Sequence, residues 1–136
     1  MWFFSSKPKG DPRITVTAEE LFERLRDQLS GRMASNCTIR LADASFYSVT
    51  QAEAEGFIAS AASYWTPQIN DCDDQAHMAK TAAIKAQFKA GKPLAFGQIW
   101  TEDHALNWYL DPRGRIKLID QPGASTLIRP ITLILG

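Results

Sequence analysis

The chain has 136 residues, enough for one domain with one core, and its fifteen basic and fifteen acidic residues leave a formal net charge of zero. With no basic stripe or acidic tail, this balance argues against nucleic acid or an anionic membrane as a partner, and no stretch reaches transmembrane length. Two cysteines, Cys37 and Cys72, in a chain with no recognisable secretory leader point to free thiols in a reducing, cytoplasmic setting.

Residues 1–13 read as a flexible lead-in: a short apolar start, then a run of Ser, Lys, Pro, Gly and Asp. Residues 14–136 read as a single domain. Thr17 and Glu20 form a capping box, and Leu21, Phe22, Leu25 and Leu29 make the apolar stripe of an amphipathic helix that ends before Gly31. Residues 36–50 read as two strand-like runs interrupted near Asp43. Thr50 and Glu53 repeat the capping box, starting a second helix that runs to about Ala62, and residues 64–67 break it.

Cys72 is expected at the first position of a long third helix. Asp71 is the N-cap, Asp74 a second capping partner, Gly91 the stop, and Pro93 lies just beyond. The partial positive charge of a helix N-terminus favours thiolate over thiol, whereas Asp71, Asp73 and Asp74 oppose it, so Cys72 needs a cationic partner. Ala76, Ala79, Ala83, Ala86 and Ala90 form a small-residue stripe suited to close packing on a sheet, and Lys80, Lys85 and Lys89 are assigned to the solvent side.

After Pro93 the pattern changes to strands at residues 94–100, 104–110, 115–119 and 127–135. The predicted fold class is α+β: a central helix on an antiparallel sheet, preceded by two helices. The Asp111-Pro112-Arg113-Gly114-Arg115 run predicts a type I turn with a left-handed glycine. That turn sets Asp111 opposite Arg115 and Asp120 opposite Leu106, so Asp120 becomes a diagonal neighbour of His104, within about 7 Å by Cβ. Cysteine at a helix start, histidine on a strand and carboxylate on the next strand supply a nucleophile, a base and the group that orients the base.

In these pieces, Asp-Cys-Asp-Asp-Gln-Ala and His104-Ala105-Leu106-Asn107, the chain resembles the papain-like and transglutaminase-like cysteine hydrolases. Adding Leu41-Ala42-Asp43 with Tyr47, and Ile119-Asp120-Gln121-Pro122, it looks most like the small bacterial and phage proteins related to the calcium-activated protease domain of a fungal agglutinin. The resemblance implies a papain-like or transglutaminase-like core and a peptidase, deamidase or acyl-transferase chemistry on a protein or peptide substrate. Cys72 would be nucleophile, His104 base, Asp120 orienter, and Trp65 or Gln68 would line the oxyanion region. No cofactor is expected, with calcium on Asp71, Asp73 and Asp74 as an alternative to a plain capping cluster. Zinc on Cys72, His77 and His104 is a weaker alternative, because the usual Cys-x-x-Cys companion is missing; His77 reads as a helix-surface residue. The competing reading of the whole is a non-catalytic protein-binding module of phage or mobile-element origin that retains the fold.

Overall fold

The computed structural model describes residues 12–62, 72–121 and 129–136. In chain order these form β1 (Thr15–Thr17), α1 (Ala18–Leu29), β2 (Met33–Arg40), β3 (Ser45–Tyr47), α2 (Gln51–Ala62), α3 (Cys72–Ala90), β4 (Phe96–Thr101), β5 (Ala105–Leu110), β6 (Ile116–Ile119) and β7 (Ile131–Leu135). The fold is α+β. No helix among the described residues is long and apolar enough to cross a membrane.

The main sheet has the order β2-β7-β4-β5-β6, and β1 pairs with β3 in a separate two-stranded ribbon. This corrects the expected purely antiparallel sheet built from residues after 93. The sheet is mixed, because β2, from the N-terminal half, joins its edge parallel to β7. The two strand-like runs expected in residues 36–50 are present as β2 and β3 on either side of Asp43, and what the local pattern does not reveal is the seat of β2 beside β7.

Local signals account for the helix ends. Thr17 and Glu20 bond reciprocally to each other's backbone amides, and Thr50 and Glu53 do the same before α2. Gly91 closes α3 with φ of 83°, the left-handed value that glycine adopts without strain. In the β5–β6 hairpin Gly114 has φ of 82°, its amide donates to Asp111, and the Asp111 amide donates to Arg115. The resulting pairing of Asn107 with Ile119 is the predicted register.

Two cores lie on opposite faces of the sheet. On one, Leu21, Leu25 and Leu29 of α1 pack with Ile99, Leu106, Trp108, Leu110, Ile131 and Ile134. On the other, Ala54, Ile58 and Ala61 of α2 and Ala79 and Ala83 of α3 pack with Phe96 and Tyr109. The alanines thus serve as expected. Lys80 does not: its ammonium is turned inward and donates to the Phe96 carbonyl at 2.7 Å, because α3 crosses the start of β4 there. Burial holds the Lys80 amine below its ordinary pKa, with Asp43 acting in the opposite sense.

The unfolded chain therefore binds more protons than the folded one between the lowered value and the ordinary lysine value, and stability from this group rises with pH across that window. The difference in melting temperature between wild type and Lys80→Met should shift in favour of wild type as pH climbs through it. A pH-independent difference would show that the amine is hydrated in solution.

Candidate active site

The site is organised by the direction of α3 relative to β4 and β5. Lys80 meets Phe96, and His77 stands 3.5 Å from Gln98, so α3 runs antiparallel to β4 and parallel to β5. The buried Asn107 fixes the level: its amide nitrogen donates to the carbonyls of Ala76 in α3, at 2.9 Å, and Gly97 in β4, at 3.0 Å. From that tie, Cys72 lies four residues back along the helix, about 6 Å, and His104 three residues back along the strand, about 10 Å. Both stand at the same end of the domain.

Cys72 is the first residue of α3, half-buried and free, as is Cys37. The second half of the site is a formed pair: His104 Nε2 lies 2.6 Å from Asp120 Oδ2. His104 is steadied from below, its amide donating to Thr101 Oγ1 at 3.0 Å and its carbonyl accepting from the Thr101 amide at 2.8 Å. The other Asp120 oxygen accepts from the Gln121 amide at 2.7 Å, so both carboxylate oxygens are engaged. Among the described residues no hydrogen bond joins the Cys72 thiol to His104.

His104 and Asp120 lie one step beyond the ends of β5 and β6. Strand alternation would leave them on the α1 side with Leu106 and Leu118. Past the ladder that constraint lapses, and Asp120 instead lines a cleft on the α2 side, where Gln121 Nε2 donates to the Ile58 carbonyl. The diagonal pairing was thus legible in the turn, but the face it presents was not.

His77 is exposed, as expected. Asp73 and Asp74 lie in the first turn of α3, while Asp71, Trp65 and Gln68 lie outside the described residues. Among the described residues no group of three or more His, Cys, Asp or Glu side chains is arranged to hold a metal ion, which gives the zinc alternative on Cys72, His77 and His104 no geometric support. Asn107 is the positioning residue that sequence reasoning left without a role. The signal was present, since a polar residue inside an otherwise apolar strand needs a partner across the sheet face.

No family model and no curated protein matches the chain. A solved structure does, the one described as the PSL1a-E64 complex, with a TM-score of 0.72 over 90% of this chain at 17% sequence identity. The match covers 51% of that protein, so the chain spans about half its length. At this identity the likeness shows the fold alone, the α+β architecture.

Proposed function

We propose that the protein is a cysteine-dependent hydrolase or acyl transferase of the papain-like or transglutaminase-like type, acting on a protein or peptide in the cytoplasm. The observation that carries the reading is the His104–Asp120 pair at 2.6 Å, at the end of the domain where Cys72 opens α3. A carboxylate can only accept, so Nε2 of the neutral imidazole carries the hydrogen and Nδ1 keeps its lone pair. Nδ1 is therefore the base.

In this mechanism Nδ1 takes the Cys72 proton, and the thiolate attacks a carbonyl carbon. The oxyanion is held by amides of the first helical turn, which have no intrahelical partner, and the resemblance alone adds Trp65 or Gln68 to that role. The tetrahedral adduct collapses to a thioester as the leaving group departs with the proton from His104. Water, or an acceptor amine, then gives its proton to Nδ1 and attacks the thioester, and Cys72 is released as the thiol. Asp120 fixes the ring and supports the imidazolium, the cation that offsets the neighbouring aspartates. No cofactor is required by this scheme; calcium on the aspartates around Cys72 belongs to the resemblance alone.

The test is alkylation by iodoacetamide, with the modified residue located by mass spectrometry. Burial pushes the Cys37 thiol up, away from thiolate, so it serves as an internal reference. Cys72 should be labelled well ahead of Cys37, and His104→Ala should remove the advantage. Equal labelling, insensitive to His104→Ala, would leave the non-catalytic binding module as the reading of this fold.

A further inference from the structure

We infer that the cleft between α2 and β6 is a subsite for a basic side chain, lysine or arginine, of the substrate peptide, an inference that rests on the hydrolase reading above. The cleft has a volume of about 500 Å³ and is lined by Glu55, Ile58, Ala59 and Ala62 of α2 and by Ile119 and Asp120 at the end of β6.

Its lining is of two kinds. Ile58, Ala59, Ala62 and Ile119 give an apolar trough, and the carboxylates of Glu55 and Asp120 border it. Glu55 and Ala62 are seven residues apart on the helix, about 10 Å, a span that suits a long unbranched chain with a charge at its tip. Asp120 is already committed, one oxygen to His104 and the other to the Gln121 amide. Among the described lining residues Glu55 is the group left to meet a cation, and Gln51 Nε2 orients it by donating to Oε2 at 2.9 Å.

The placement gives the cleft its relation to the chemistry. Asp120 is a wall shared by the cleft and by the His104 pair, so a side chain seated on Ile58 and Ile119 lies beside the base of the reaction. A neutral side chain of the same length would fill the trough and leave Glu55 without a partner, and an acidic one would face two carboxylates.

The experiment measures binding with the nucleophile removed. The full-length Cys72→Ala protein is titrated with alanine-based fluorescent hexapeptides that carry one lysine, norleucine or glutamate at each position in turn, read by anisotropy. At one position the lysine peptide should bind about fivefold tighter than its norleucine counterpart, as for an exposed ion pair at the favourable end of its range, and salt should narrow the gap. Adding Glu55→Gln should bring the ratio to about one, and Glu55→Lys should reverse the order in favour of glutamate. Equal affinity of lysine and norleucine peptides at every position, a preference that survives Glu55→Gln, or no binding of any peptide would overturn the inference. These outcomes are separate from the alkylation result. Lysine-selective binding with indiscriminate alkylation would keep the cleft and remove the hydrolase, and activated Cys72 without lysine selectivity would do the reverse.

Discussion

Cys72→Ala and His104→Ala should each reduce peptide turnover to background, while Asp120→Asn should lower kcat by roughly a hundred- to ten-thousandfold with the fold intact. In the proposed mechanism the inequality follows from what each group supplies. Without the thiol no thioester forms, and without the imidazole nothing takes the thiol proton or returns it to the leaving group. Asp120 acts one bond further away, through the 2.6 Å contact with Nε2. An asparagine there keeps the shape, but it can turn its amide N–H toward Nε2. The imidazole hydrogen then moves to Nδ1, where the base needs a lone pair. Asp120→Glu keeps an acceptor-only partner and should retain measurable turnover, which neither the amide nor a simple packing role would predict. The measurement is steady-state cleavage of a quenched fluorescent peptide beside melting temperatures for each variant. Full activity of Asp120→Asn would show that the His104–Asp120 pair only closes the end of the hairpin.

How much of this was legible in the chain depended on whether the controlling interaction was local. The capping boxes at Thr17 and Thr50, the start of α3 at Cys72, its stop at Gly91 and the left-handed Gly114 are set by neighbours within a few residues, and each is legible in the sequence. The His104–Asp120 pair is sixteen residues apart in sequence, yet it too was legible, because a single turn type at Pro112-Arg113-Gly114 transmits a fixed register along both strands. What failed was non-local. The parallel seat of β2 against β7 joins segments with most of the chain between them, and Met33–Arg40 is half-exposed and nearly devoid of apolar alternation. Lys80 was assigned to water because a charge on a helix is usually solvated, whereas its partner is a strand carbonyl supplied by the return of the chain at Phe96. Asp120 lies one residue past the end of the β6 ladder, so strand periodicity does not encode the direction in which it faces.

Gly97→Ala should be the most destabilising small substitution in the sheet, by about 3 kcal/mol or more, lowering the melting temperature by roughly 10 °C. The reason is a close crossing rather than backbone conformation. Gly97 pairs with Trp108 across the β4–β5 ladder, and the indole lies over it to donate from Nε1 to the Leu135 carbonyl of β7 at 3.0 Å. A methyl group at position 97 would stand 1.9 Å from that carbonyl oxygen and 2.6 Å from the indole nitrogen. The nearer atom is backbone in the neighbouring strand, so relief requires β7 to move away from β4, and with it the Ile131 and Ile134 contacts to the α1 core. The double variant separates the two clashes. Trp108→Phe alone removes one hydrogen bond and should cost about 1 to 2 kcal/mol. If the carbonyl contact dominates, Trp108→Phe gives Gly97→Ala no relief, and the two losses add when denaturant unfolding is followed by far-UV circular dichroism. Substantial rescue of Gly97→Ala by Trp108→Phe would instead mean that β7 yields easily and that the indole is the obstacle.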